Sequence, residues 1–162
     1  MKTLKSKWID DPSPVWENIK TFLSDDSGDL DEEGPFLGVF DGEKMVGAFL
    51  VRWWNEYCCE LHGGVCRDHW GRGPEICDLA GKSIFYSTPC LKLVAIIPAF
   101  NRLMCKCVQK LGMKQEGRIT KSYLKWSRLH DQIVWGITKT EMRTRDDSYA
   151  YWKGVRPCHP QQ

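Results

Sequence analysis

The feature that most constrains this chain is a glycine-containing turn that joins a predicted strand to a predicted helix. It lies in residues 62–76, HGGVCRDHWGRGPEI. The helix that follows has apolar residues at the spacing of one helical face, namely Ile76, Leu79, Ala80 and Ile84. Because a helix N-terminus carries free N–H groups and the positive end of the helix dipole, such a turn favours an anion. The sequence therefore predicts a site for a phosphate-bearing ligand at this turn.

Length, charge and hydropathy narrow the class of protein. The 162 residues are enough for one sizeable core, and eight Trp, six Phe and five Tyr argue against disorder. A formal net charge of +2 makes no strong case for nucleic acid as a partner, so we expect nucleic acid to be an unlikely one. The basic N-terminus is followed by no apolar stretch, and no segment approaches the roughly 20 apolar residues of a membrane span. We therefore expect a cytoplasmic protein with no membrane partner.

The eight cysteines allow two interpretations. Without a secretion signal, they are best explained as reduced, mostly small core residues. The alternative is a zinc site built from Cys59, His62, Cys66 and His69. In an extended strand Cys59 and His62 would point to opposite faces, and no second close pair follows at zinc-finger spacing. We therefore favour the first interpretation and predict no metal.

Capping signals and hydrophobic periodicity predict the remaining elements. Ser13-Pro14 starts a helix at about 13–23, because a hydroxyl cap followed by proline is a common helix start. Residues 24–33 hold six acidic residues and no basic one, which predicts a solvated loop. The predicted strands are 35–40, 44–54, 57–66, 91–97, 118–127 and 131–139, and a further helix at 100–111 ends at Gly112.

The order of these elements predicts the fold class. Three antiparallel strands, with a hairpin turn at Asp41-Gly42, precede the glycine turn, and further strands alternate with helices. This order predicts an α/β protein of the α+β type, with a mixed sheet whose middle strands connect through the glycine-turn helix. We expect one domain at 1–139, followed by a C-terminal tail or docking arm at 140–162.

Three motifs occur in an order that resembles a known family. Val65 is followed five residues later by Trp70-Gly71-Arg72-Gly73, then come residues 97–101 (IPAFN) and residues 110–117 (KLGMKQEG). Together with Asp131 at a strand start, they resemble the GNAT superfamily of acetyl-CoA-dependent N-acetyltransferases over about residues 35–139, including phage-encoded members. The resemblance implies a mixed, mostly antiparallel central sheet flanked by helices, with splayed middle strands.

The resemblance also implies acetyl-CoA as co-substrate. The Gly71–Gly73 turn would hold its diphosphate through backbone N–H groups, and Arg72 would add charge there. The pantetheine arm would pair with an exposed strand edge, and a bulge at Gly63-Gly64 would start the splay. Asn101 would lie near the pantetheine, although it fits equally well as a plain helix cap. The expected cofactor-binding residues are Val65, Trp70, Gly71, Arg72, Gly73 and Asn101.

Acetyl transfer to an amine needs a base and a polarised carbonyl. Glu60 and His62 alternate onto one face of the third predicted strand, so we take them as candidates for base and relay. The alternative is that Glu60 pairs with a lysine across the sheet and His62 fills the edge of the core. Tyr123 and Ser122 are weaker candidates for the acid.

Departures from the family pattern leave a second function open. The usual Gln or Arg is replaced by Trp70, Pro74 removes an N–H donor, and Glu75 adds a carboxylate that would repel a diphosphate. Val108 stands where many members have a tyrosine. We favour an N-acetyltransferase acting on an amine of a protein or small molecule. The alternative is a catalytically weak or inactive GNAT-fold binding or assembly protein, such as a phage head-assembly factor.

Overall fold

The computed structural model describes residues 3–16, 19 and 34–152, with side chains as far as residue 147. The predicted acidic loop at 24–33 and most of the predicted helix at 13–23 lie outside the described residues; residues 13–16 and 19 are helical. The strands are β1 (Leu4–Ile9), β2 (Phe36–Asp41), β3 (Lys44–Asn55), β4 (Cys58–Val65), β5 (Lys92–Pro98), β6 (Lys114–Lys125) and β7 (Arg128–Thr138). The helices are α1 (Gly73–Ser87), α2 (Arg102–Lys110) and α3 (Lys139–Trp152), and a 3-10 turn (Arg67–Arg72) leads into α1.

The strands form one seven-stranded sheet in the order β1-β2-β3-β4-β5-β7-β6. All neighbours are antiparallel except β4 and β5, which are parallel because α1 carries the chain between them. The predicted α/β fold with a mixed, mostly antiparallel sheet flanked by helices is therefore confirmed. Strand β1 was not predicted, because its alternation is weak: both Lys5 and Trp8 are exposed.

The middle strands pair over a short distance and then separate. Strands β4 and β5 share three residue pairs, and the last of them joins Glu60 to Val94. The expectation of a bulge at Gly63-Gly64 is wrong, since β3 and β4 stay in register there. Gly63 is required for another reason: a Cβ atom at this position would lie 2.3 Å from the carbonyl oxygen of Ala48. The glycine therefore allows two backbones to approach closely at the point where the sheet opens.

The two faces of the sheet carry separate apolar clusters. The stripe predicted on α1 is confirmed, because Ile76, Ala80 and Ile84 are fully buried against one face of the strands. On the opposite face, Trp16 packs edge-on against Phe36, with ring centroids 4.8 Å apart. The cleft between β4 and β5 is thus held between two packed layers.

Helix α3 occupies the start of the segment that the sequence suggested as a tail. Met142 is buried in the core beside α1, and Arg145 donates to the carbonyl of Leu111 at 2.6 Å and to Asp78 at 2.6 Å. The domain boundary at residue 139 remains a prediction, but the described residues that follow it are helical. None of the helices in the described ranges is long and apolar enough to cross a membrane.

Candidate active site

An apolar cavity of about 130 Å³ lies where β4 and β5 separate. It is lined by Leu61–Gly63 of β4 and Val94–Pro98 of β5, and helix α2 closes one side. Among its polar side chains are those of His62, Asn101 and Tyr123. The unpaired edges of the two strands can here accept a slender, hydrogen-bonding chain, as a strand would be accepted.

Glu60 and His62 lie on the same strand, β4, and His62 lines this cavity. His62 Nε2 hydrogen-bonds to Glu60 Oε1, and Glu60 Oε2 accepts a bond of 3.2 Å from the indole Nε1 of Trp54. Burial raises the pKa of the Glu60 carboxyl, but the bonds from His62 and Trp54 and the charge of Arg52 outweigh it, so the pKa is lowered. The alternative, in which Glu60 pairs with a lysine across the sheet, is wrong, because the residue opposite Glu60 on β3 is Arg52.

The candidates for the acid are placed differently. Tyr123 is buried, its ring lies 6.0 Å from that of Phe100, and it lines the same cavity as His62. Ser122 is exposed and donates to the carbonyl of Ile119. Val108, at the position of the expected family tyrosine, is a buried part of the cavity wall and has no proton to give. Tyr123 is therefore the better candidate of the two.

A wider groove of about 610 Å³ adjoins the cavity. Gly63, Asn101 and Met104 line both, so the two spaces meet at these residues. Further along, the groove is lined by two tryptophans and three lysines, Trp70, Trp126, Lys106, Lys110 and Lys125. No carboxylate lines it among the described residues.

These three lysines are site residues that the sequence motifs did not predict. Lys106 and Lys110 lie four residues apart on α2, so they project from the same side of that helix. The signal was present in the helical spacing, but only the packing of α2 beside the glycine turn places the two charges on the groove. Together with Lys125 at the end of β6, they give the groove a positive charge suited to phosphate groups.

The glycine turn itself is folded more tightly than expected. It forms the 3-10 turn, in which the N–H of Gly73 donates to the carbonyl of Trp70. The indole Nε1 of Trp70 donates to the carbonyl of Val65 at 2.9 Å. Of the expected cofactor-binding residues, Val65, Trp70, Gly73 and Asn101 line the groove, whereas Gly71 and Arg72 do not.

Arg72 is held by two carboxylates. It donates to Asp41 at 2.8 Å and to both oxygens of Glu75, at 2.9 and 3.0 Å. These contacts raise the pKa of the guanidinium and lower the pKa of the Glu75 carboxyl. The expected role of Arg72 at a diphosphate remains a prediction, and in this conformation its charge is shared with Asp41 and Glu75.

Asn101 fits both of its expected roles. Its Oδ1 accepts a bond of 3.2 Å from the backbone N–H of Met104, which makes it the N-cap of α2. The same side chain lines the junction of cavity and groove. Because the cap uses Oδ1, the Nδ2 group can still donate to a ligand there.

The residues of the zinc alternative do not converge. The Sγ of Cys59 lies 3.6 Å from that of Cys90 in the buried core, while His69 bonds to Asp68. In the described ranges no three His, Cys, Asp or Glu side chains are grouped as ligands of a metal ion.

No protein-family model and no curated protein matches this sequence, but many solved structures match the fold. A chimera of the spermidine N-acetyltransferase SpeG from Vibrio cholerae and hSSAT aligns with a TM-score of 0.70 at 12% identity, covering 86% of this chain and 98% of that one. A GNAT-family acetyltransferase from Bacillus anthracis aligns with a TM-score of 0.58 at 18% identity, covering 65% of this chain and 67% of that one. The fold is that of GNAT acetyltransferases. The ribosomal-protein-S5-alanine acetyltransferase from Vibrio fischeri also aligns, with a TM-score of 0.57 at 15% identity, covering 67% of this chain and 63% of that one.

These identities are low enough that the likeness concerns the fold alone. The resemblance expected from the sequence is confirmed at that level. The names of these neighbours give different acceptors, spermidine in one case and the alanine of ribosomal protein S5 in another. The shared fold therefore does not identify the acceptor of this chain, which depends on its own site.

Proposed function

We propose that the protein is an N-acetyltransferase that uses acetyl-CoA and acts on an amine. The observation that carries this proposal is the continuity of two unlike spaces at Gly63, Asn101 and Met104. One is wide, positively charged and lined by indoles, and the other is narrow and apolar and lies between two strand edges. A ligand that fits both has a polyphosphate and an aromatic base at one end and a slender, amide-containing arm at the other, as CoA does.

The residues that line the groove and the cavity suit the successive parts of CoA. Lys106, Lys110 and Lys125 would face its phosphate groups, and Trp70 and Trp126 offer indole faces on which a base can stack. Strand edges of β4 and β5 would bond to the amides of its arm, with Asn101 at the bend. The diphosphate site predicted at Gly71–Gly73 needs the 3-10 turn to release the N–H of Gly73.

Glu60 and His62 would supply the proton chemistry. Acetyl-CoA brings an activated thioester; a C–N bond to the amine forms while the C–S bond breaks. His62 would take the proton that the amine loses, and the Glu60 carboxylate would stabilise the charged imidazole. The departing thiolate needs a proton, and the Tyr123 hydroxyl at the same cavity is our candidate to donate it.

Calorimetric titration with acetyl-CoA, followed by an assay of thiol release, tests the proposal. The acceptor panel contains spermidine, a peptide with an N-terminal alanine and an arylamine. We expect saturable binding and thiol release with at least one acceptor, together with a product heavier by one acetyl group. At 100 times its Kd, acetyl-CoA should also stabilise the fold by about 2.7 kcal/mol. Absence of binding at millimolar acetyl-CoA rejects the proposal.

A second candidate function has its own structural support. The carbonyl of Val65 is occupied by Trp70, and Arg72 is occupied by Asp41 and Glu75, so the turn is closed by its own side chains. This arrangement favours a GNAT-fold binding or assembly protein with little catalysis. Acetyl-CoA binding without thiol release on any acceptor, or no binding at all, would favour this second function.

A further inference from the structure

A bulge in β3 lies next to the Glu60–His62 pair. Trp53 is paired with Cys59 and Asn55 with Cys58, so Trp54 is the extra residue between them. A bulge leaves its extra residue outside the ladder and re-aims its side chain. Here Trp54 is 54% exposed, yet its indole N–H reaches the carboxylate of Glu60, a residue that is only 7% exposed.

The indole of Trp54 determines which oxygen of the Glu60 carboxylate is available to His62. An indole N–H can only donate, so Glu60 Oε2 must accept, and Oε1 is left for His62. An ionised carboxylate has no proton to give, so His62 Nε2 must carry the hydrogen of the bond between them. The second ring nitrogen, Nδ1, is then the one with a free lone pair.

We propose that Trp54 is a positioning residue that acts through Glu60 to hold His62 in the tautomer whose Nδ1 accepts a proton. This inference rests on the proposed acetyltransferase function for its kinetic consequence, but not for the tautomer itself. Without the indole N–H, the Glu60 carboxylate can turn about its last bond, and the bond to His62 loses its fixed direction. A wrong tautomer would present an N–H, which cannot accept a proton, to the acceptor amine.

Other groups around Glu60 and His62 act in different ways. Arg52 on β3 acts on Glu60 through its positive charge. The titratable groups that share the cavity with His62 are Cys77 on α1 and Tyr123 on β6, and β5 contributes apolar residues. The indole N–H of Trp54 bonds to Oε2, the carboxylate oxygen that His62 does not use.

Trp54→Phe tests the proposal, and Trp53→Phe is its matched control. Both remove an indole N–H from neighbouring, solvent-exposed positions of the same strand, but only Trp54 bonds to Glu60. The first readout is the nitrogen-15 NMR signal of the His62 imidazole in mildly alkaline solution, which distinguishes the two neutral tautomers. We expect one tautomer, with the proton on Nε2, in the wild type and in Trp53→Phe, and a mixture in Trp54→Phe and Glu60→Gln.

The second readout is steady-state kinetics with the best acceptor. Loss of a hydrogen bond to a charged group should lower kcat about tenfold in Trp54→Phe, with KM for acetyl-CoA unchanged within about twofold. An unaltered tautomer and kcat in Trp54→Phe would overturn the proposal, and so would equal effects of Trp53→Phe and Trp54→Phe. If the wild-type protein transfers no acetyl group, the proposed function is wrong. The NMR measurement then still tests whether Trp54 holds the tautomer of His62.

Discussion

The guanidinium of Arg72 donates hydrogen bonds to both carboxylate oxygens of Glu75, at 2.9 and 3.0 Å. The sequence suggested that Glu75 would repel a diphosphate at the start of α1. In the structure its charge is balanced by Arg72, and neither side chain lines the groove. The carboxylate therefore opposes an anionic ligand less than its position in the sequence implies.

Glu75→Gln should change the Kd for acetyl-CoA by less than about threefold, because an ion pair that is screened by solvent contributes little. Calorimetric titration measures this, and Glu43→Gln at an exposed turn position is the control. Tightening by an order of magnitude in Glu75→Gln alone would show that the repulsion expected from the sequence is real.

Lys106→Ala and Lys110→Ala should each weaken acetyl-CoA binding about tenfold, since each removes a charge that faces the groove and a charge-assisted bond is worth about 1.5–3 kcal/mol. The loss should shrink as salt is added, because the interaction is screened. Titrations at low and high salt measure both effects. Lys5→Ala, exposed on β1, should keep the wild-type Kd; an equal loss there would point to net charge rather than to the groove.

Gly73→Val should block the groove without disturbing the fold. The backbone at Gly73 has φ −49 and ψ −50, which any residue adopts, and a Cβ atom there would meet nothing within 4 Å. Because Gly73 lines the groove, the added side chain would occupy ligand space. We expect the Kd for acetyl-CoA to rise more than about tenfold, because the loss of a single strong contact has an effect of this size. The melting temperature should be nearly unchanged.

Gly117→Val is the matched control for this change. Its Cβ atom would make only ordinary contacts, at 3.9 Å or more from Val134, at a position of β6 that does not line the groove. Normal acetyl-CoA binding by Gly73→Val would mean that the ligand lies elsewhere.

Thr138→Ala should lower the free energy of unfolding by about 1 kcal/mol, the usual value of an N-cap. The Thr138 hydroxyl donates to the Glu141 carboxylate at 2.8 Å and accepts from the Glu141 N–H, a reciprocal cap at the start of α3. Urea unfolding measures the loss. Thr140→Ala, in the first turn of the same helix and exposed, should show none.

The same cap predicts a pH dependence. The bond from Lys114 and then those from Thr138 lower the pKa of Glu141 from 4.5 to about 2. A lowered carboxyl pKa contributes stability that is present above 4.5 and is lost as the pH falls towards 2. The difference between wild type and Thr138→Ala should therefore shrink over this range, and a difference independent of pH would contradict the role of the Glu141 charge.

Local patterns predicted much of the fold. Helical spacing located α1 and α2, and the stop at Gly112 is confirmed by its φ of +84°. The hairpin at Asp41-Gly42 is confirmed as well, with a positive φ at Gly42. Helix α3 was missed, although the residues 138–141 (TKTE) carry the signature of a capping box. The capping box is the local signal for this helix, because charged residues rather than an apolar stripe dominate the segment that follows.

For the candidate site, the sequence placed Glu60 and His62 on one strand face, and the structure brings them into a hydrogen bond. It could not place Trp54 beside them, since a bulge depends on how two strands align. Nor could it show that Arg72, in the 3-10 turn, donates a hydrogen bond to Asp41 at the end of β2.

The sequence by itself determined the features that depend on neighbouring residues. These are where helices begin and end, where the chain turns, and which side chains share a face. Only the tertiary structure decided which elements meet. It placed the lysines of α2 beside the glycine turn, buried Met142 against the core and aimed Trp54 at Glu60. The reason is physical: local periodicity reflects backbone geometry over a few residues, whereas these contacts depend on the packing of segments far apart in the chain.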